Sequence, residues 1–121
     1  MALRYVIAVI RVGALEAVER RLTDIGVRGL TVVKVKGLGK HPSYFTRDPL
    51  SEEAKLEIVA DKSRIEVIAQ AIFDAAHTGD PGDGIISVLP VSDFSRIRTR
   101  WAASPDDACT IGARHRKGEV A

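Results

Sequence analysis

Residues 63–88 read SRIEVIAQAIFDAAHTGDPGDGIISV, and the fold turns on how this stretch divides. Ile65, Ile68, Ala69, Ile72, Phe73 and Ala76 recur at three- and four-residue spacing, the apolar stripe of a helix over 63–76. Ser63 and Glu66 stand at capping-box spacing at its start. Ile85 to Pro90 reads as a strand. The segment between them, HTGDPGDG, carries three glycines, a proline and two aspartates, more than a plain helix-to-strand connection needs. Gly79, Gly82 and Gly84 permit backbone angles that side chains disfavour, so amides can turn inward toward an anion. A plain connection is the other reading of the same glycines.

Working outward, Lys55 to Ala60 (KLEIVA) alternates polar and apolar residues and reads as a strand immediately upstream of that helix. Leu30 to Lys36 (LTVVKVK) is another, with Thr31, Val33 and Val35 on one face and Lys34 and Lys36 on the other. Before it, Leu15, Val18, Leu22 and Ile25 keep helical spacing from about Ala14, and Gly26 stands where a left-handed cap belongs. Tyr5 to Ile10 (YVIAVI) is apolar throughout, a strand with both faces covered or one face in a subunit contact. Strand–helix–strand therefore occurs twice. The expected fold is α+β, a ferredoxin-like βαββαβ sandwich with both helices on one face of an antiparallel sheet. Its other face needs cover, which points to an oligomer.

Two segments fall outside this pattern. Gly37-Leu38-Gly39 opens an irregular polar stretch to about Glu53, KHPSYFTRDPLSEE over 40–53, read as a partner-contacting or ligand-ordered loop rather than an idle excursion. Phe94 to Trp101 alternates basic and other residues; as a strand it would place Arg96, Arg98 and Arg100 on one side, able to grip phosphates. A solvated basic edge is the alternative. Residues 1–101 read as one domain, and 102–121 as a polar tail.

The 121-residue length suits a single domain with a modest core. A formal charge of +2 with scattered basic residues, clustered only at Arg114-His115-Arg116-Lys117, argues against nucleic acid, as do the few aromatics. One cysteine, Cys109, makes no internal disulfide and fits a reducing cytoplasm. The run from Leu3 to Ile10 is too short to span a bilayer and lacks a signal-peptide layout.

Four segments in order, LTVVKVKGLG at 30–39, the helix at 63–76, HTGDPGDGIISV at 77–88 and RIRT at 96–99, resemble the PII signal transduction proteins, trimeric sensors of nitrogen, carbon and energy status. The resemblance covers about Tyr5 to Thr99. It implies a homotrimer with adenine nucleotide in the clefts between neighbours, as effector rather than prosthetic group. The implied nucleotide-binding positions are Thr31 and Val59 near the base, and Gly37, Leu38, Gly39 and Lys40 at the base of the T-loop (about 37–54). Thr78, Gly79, Pro81, Gly82, Asp83 and Gly84 would wrap the phosphates, and Arg96 and Arg98 would arrive from an adjacent subunit.

The departures from the family pattern shape the expected function. The family follows GDG with Lys or Arg; here it is Ile85. A phosphate-binding lysine near the end of the T-loop falls at Glu53, and a glutamine used for 2-oxoglutarate and magnesium falls at His41. Fewer cations favour a mono- or diphosphate over a triphosphate. Tyr44 does not stand in the uridylylated segment of enteric members. The expectation is a cytoplasmic sensor favouring ADP or AMP over ATP and blind to 2-oxoglutarate. It would act through the T-loop on a target such as a transporter or metabolic enzyme in inorganic-carbon or nitrogen metabolism, with bicarbonate as a candidate effector.

Two rivals use the same fold. An enzyme would draw on His41, His77 and Asp83, but no nucleophile–base pair stands among them. A metal-binding trimer would need ligand spacing that Cys109, His41, His77 and His115 do not have. No catalytic or metal-ligating residue is assigned.

Overall fold

The computed structural model describes residues 2–37 and 51–98. The elements are β1 (Leu3–Arg11), a 3-10 turn (Val12–Ala14), α1 (Leu15–Asp24), β2 (Thr31–Gly37), β3 (Ser51–Asp61), a second 3-10 turn (Lys62–Arg64), α2 (Ile65–Ala76) and β4 (Gly84–Pro90). The sheet order is β2-β3-β1-β4, every neighbouring pair antiparallel. This is the expected ferredoxin-like sandwich.

The helices end and begin for identifiable reasons. At the end of α1, the Val27 amide donates to the Leu22 carbonyl at 2.9 Å and the Gly26 amide to Thr23 at 3.0 Å, with Gly26 at φ +90°. That is a Schellman cap, and buried Val27 supplies its apolar contact. The entry to α2 differs from the expected capping box. Asp61 is the capping residue: its carboxylate accepts from the Ser63 amide at 2.9 Å and from the Ser63 hydroxyl at 2.6 Å. A carboxylate two residues upstream reaches the exposed amides of the 3-10 turn, so Ser63 donates where it was expected to accept.

The core lies between the helices and one face of the sheet. Val6, Ala8 and Ile10 of β1 and Ala54, Leu56, Ile58 and Ala60 of β3 meet Val18 and Leu22 of α1 and Ile68 and Ile72 of α2. Leu22, Leu56, Ile58, Ile68 and Ile72 are essentially sealed from solvent. On β2 it is Val32 that packs against this core. The alternation therefore turns Thr31, Val33 and Val35 away from the helices, together with Tyr5, Ile7, Val9, Val59, Ile85 and Leu89 of the neighbouring strands. This second face is apolar and open in the single chain: Val33 is 46% exposed and Ile85 64%. Polar residues are set among these: Glu53, Lys55, Glu57 and Ser87 share the face with Thr31. The Tyr5 hydroxyl donates to Glu57, and Lys55 lies 3.4 Å from the same carboxylate. The Glu57 carboxylate pushes the Tyr5 phenol up to about 12 and is itself lowered chiefly by accepting that bond.

The strand expected over Phe94 to Trp101 is not formed in its described part. Ser95 makes an isolated bridge and Ile97–Arg98 is a turn, so Arg96 and Arg98 are not aligned on one side of a strand. Thr99, Arg100 and Trp101 lie outside the described residues, as do most of the T-loop (38–50) and the tail (102–121).

Candidate functional site

Four chain segments meet at one end of the sheet. Gly37, the last residue of β2, pairs with Ser51; Arg11, the last of β1, pairs with Glu53; and Gly84, the first of β4, pairs with Ile10. The base of the T-loop and the glycine loop therefore share this end. They are adjacent because antiparallel pairing puts the end of β2, the start of β3, the end of β1 and the start of β4 side by side. Gly37 is close to the Glu53 carboxylate: a Cβ there would stand 2.9 Å from its oxygen.

The loop itself is built around one carboxylate. Asp83 accepts from the Thr78 amide at 2.8 Å and the Gly79 amide at 2.9 Å, and also from the Thr78 hydroxyl. The Asp80 amide donates back to the Thr78 hydroxyl at 3.2 Å, and the Asp83 amide to the Asp80 carbonyl at 3.2 Å. Amides expected to face an anion are thus turned onto the loop's own aspartate at Thr78 and Gly79. Of the three glycines only Gly79 (φ +90°) and Gly84 (φ +113°) occupy the left-handed region.

One loop-binding residue escaped the sequence reading. Arg11 reaches across from β1: its Nε donates to the Gly82 carbonyl at 3.1 Å, and one terminal nitrogen donates to the Asp83 carboxylate at 2.8 Å and the Thr78 hydroxyl at 3.3 Å. In sequence it is only the charge that ends an apolar run. The available signal was that an arginine one residue beyond Ile10 must fall opposite Asp83 if Ile10 pairs with Gly84.

These contacts set the charge state. Hydrogen bonds from the Thr78 hydroxyl and amide, then the Gly79 amide and the Arg11 charge, lower Asp83 from 3.8 to about 2. A depressed carboxyl stabilises the folded loop above its ordinary range and loses that contribution as pH falls through the folded value. The loop network is therefore expected to be intact from neutral pH to about 4 and to open between about 4 and 2. Carboxyl chemical shifts of Asp83 during an acid titration check this; a midpoint near 3.8 would mean that the contacts are absent in solution.

His77 follows α2, its Nδ1 3.6 Å from Asp83. An apolar cleft of about 220 Å³ lies beside it, lined by Ile10, Ile72, Phe73, Ala76, Gly84, Ile85 and Ile86 with His77 and Asp83. Among the described residues no cluster of three or more His, Cys, Asp or Glu could hold a metal ion, and no helix is long and apolar enough to cross a membrane. His41, Cys109 and His115, like Leu38, Gly39 and Lys40, lie outside the described residues.

The remaining predicted positions are spread along the sheet. Thr31 pairs with Glu57 and Val59 with Tyr5, both on the open face. Thr31 lies level with Ile7 across β3, roughly 13 Å from Arg11 along the strands. The end of β4 leads away from the loop: the Val91 amide donates to the Leu3 carbonyl at 3.2 Å, where β1 begins, roughly 25 Å from Arg11 along the strand. Arg96 and Arg98 follow, on either side of Ile97 in an exposed segment with a bridge at Ser95 and a turn at Ile97–Arg98.

A family model described as nitrogen regulatory protein P-II matches residues 3–101. A nitrogen regulatory protein P-II homolog of Arabidopsis thaliana is 40% identical over 100 residues, covering 76% of this chain and 51% of that protein. Nitrogen regulatory protein GlnK2 of Haloferax mediterranei is 38% identical over 105 residues, covering 80% and 85%. The chain spans about half the length of the plant relatives, 51% for Arabidopsis and 47% for the rice homolog. The crystal structure of Arabidopsis thaliana PII bound to citrate superposes with a TM-score of 0.73 at 37% identity, covering 84% of this chain and 89% of that one.

Proposed function

The chain belongs to the nitrogen regulatory protein P-II family, and from that premise we propose that it is a regulatory sensor rather than an enzyme, one that binds an adenine nucleotide between the subunits of a homotrimer. ADP or AMP is the favoured ligand over ATP. Ligand in the cleft biases the T-loop toward one state, and that state docks on or releases a target protein. A cytoplasmic location and a role in nitrogen or inorganic-carbon metabolism, with bicarbonate as a candidate co-effector and 2-oxoglutarate without effect, complete the reading.

The course of β4 carries it: the strand starts at the glycine loop and ends beside Leu3 at the opposite end of the sheet before the chain reaches Arg96 and Arg98. That course suits arginines that serve the glycine loop of a neighbouring copy. The open apolar sheet face, with Val33, Ile85 and Leu89 exposed, supports burial against those copies. The roughly 13 Å between Thr31 and the loop end of the sheet suits a ligand with its base at one point and its phosphates at the other. Citrate in the Arabidopsis relative is in keeping with a family member taking a small polyanion. Ile85 and Glu53, where the family carries cations, support the preference for fewer phosphates.

Titration calorimetry with AMP, ADP and ATP, each with and without bicarbonate and 2-oxoglutarate, tests the reading. It predicts tighter AMP or ADP than ATP, unchanged by 2-oxoglutarate, and a solution mass three times the 13.1 kDa chain. Mg-ATP binding strengthened by 2-oxoglutarate would replace the ligand preference, and absence of all three nucleotides would remove the function. Arg98→Ala is expected to weaken nucleotide about tenfold while leaving the melting temperature within a few degrees, because an exposed arginine contributes phosphate contact and little packing. Unchanged affinity would take Arg98 out of the site.

A further inference from the structure

We infer that Arg11 is the positioning residue of the glycine loop, holding it from the central strand in the shape that receives the ligand; the ligand part of this rests on the nucleotide reading above. Three observations carry it. The guanidinium makes contacts with Thr78, Gly82 and Asp83, one at each end of the loop and one in its rim. It is the last residue of β1, paired with Glu53 and directly following Ile10, which is paired on both sides, so it anchors the loop to the central strands. The loop's own bonds are short-range, between residues 78 and 83.

The chemistry explains why an arginine is needed. The two amides and the hydroxyl keep the Asp83 carboxylate ionised, which leaves a negative charge beside the proposed phosphate path. Arg11 neutralises that charge at 2.8 Å while its Nε, on the same edge of the guanidinium, fixes the neighbouring Gly82 carbonyl. With the Gly82 carbonyl held, the peptide it belongs to is fixed from both sides, because its Asp83 amide donates to the Asp80 carbonyl at 3.2 Å. A planar fork satisfies both partners at once; a lysine ammonium reaches one. Arg11 therefore sets how the loop is presented and how much repulsion a phosphate meets from Asp83, without touching the phosphate itself.

The test separates loop order from ligand binding. In Arg11→Ala, hydrogen exchange at the Thr78 and Gly79 amides should accelerate at least tenfold while core amides of β1 and β3 keep their protection. ADP affinity should fall about tenfold, and Arg11→Lys should recover part of both losses. Arg11→Ala combined with Asp83→Asn should bind ADP no worse than Arg11→Ala alone, because the pair acts as one unit. Unchanged exchange in Arg11→Ala would overturn the inference. So would fully additive losses in the double variant, which would mean that Arg11 meets the ligand directly. If the unmodified protein binds no adenine nucleotide, the proposed function fails and exchange alone decides whether Arg11 orders the loop.

Discussion

Gly84→Ala is expected to destabilise the protein by roughly 3 kcal/mol or more, and to lower its melting temperature by roughly 12–20 °C. Two costs coincide at this residue. Its φ is +113°, a conformation L side chains rarely adopt. A Cβ would also stand 1.9 Å from the Val9 carbonyl oxygen and 3.1 Å from the Ile10 Cα. Both are backbone atoms of the central strand, so neither can swing aside as a side chain could. Relief requires β4 to part from β1 where Ile10 pairs with Gly84, opening the sheet beside the loop. Gly79→Ala is the matched control: φ is +90° but nothing lies within 4 Å of the added methyl, so only the backbone cost of about 1–2 kcal/mol applies. Thermal unfolding of the two variants decides the matter. Equal losses would mean that β4 does not begin against Ile10 as described.

The second large effect is a gain. Ile85→Lys together with Glu53→Gln is expected to tighten ATP binding by on the order of a hundredfold and AMP by far less. Ile85 is 64% exposed in the single chain, on the face proposed to meet other copies, so the variant's solution mass is checked before its affinities are compared. Glu53 sits opposite Arg11 and beside Gly37, at the sheet end where the proposed phosphates lie. One substitution adds a positive charge there and the other removes a negative one. At an effective dielectric near 20, a unit charge several ångströms from a phosphate contributes about 1–3 kcal/mol, and each 1.4 kcal/mol is a factor of ten. The terminal phosphates feel the change most, so the preference should invert toward ATP. Calorimetric titration of the double variant with all three nucleotides reads this directly. A uniform gain across AMP, ADP and ATP would indicate general attraction to the surface rather than recognition of the triphosphate, and no gain would place the phosphates elsewhere.

The element pattern was legible because its signals are local. The stripe Ile65, Ile68, Ile72 and Ala76 lies within one helix, and the alternation of KLEIVA within one strand; both survive as α2 and β3. Gly26 was readable as a cap for the same reason: a left-handed residue after Asp24 is a property of consecutive backbone units. The reading erred where two local solutions competed. Ser63 and Glu66 fit a capping box, but Asp61 lies close enough to reach the same amide and carries a full charge. Likewise the alternation in RIRTR suits a strand, yet a strand needs a partner edge, and only Ser95 finds one among the described residues.

The set of elements, their order and the glycines that mark the loop were readable from propensity and period over a dozen residues or fewer, while the family was readable only as a resemblance of four motifs. Strand register and packing settle which face of β2 lies open, which of the three loop glycines cannot bear a methyl, where Asp83 points, and that Arg11 holds it. Those answers depend on strand register, because Arg11 and Asp83 are 72 positions apart and a slip of one residue would turn every side chain of β1 to the other face. The course of β4 is of the same kind. Seven residues separate Gly82 from Pro90, yet the strand carries the chain from the loop end of the sheet to the opposite end, because its antiparallel pairing with β1 brings Pro90 beside Arg4.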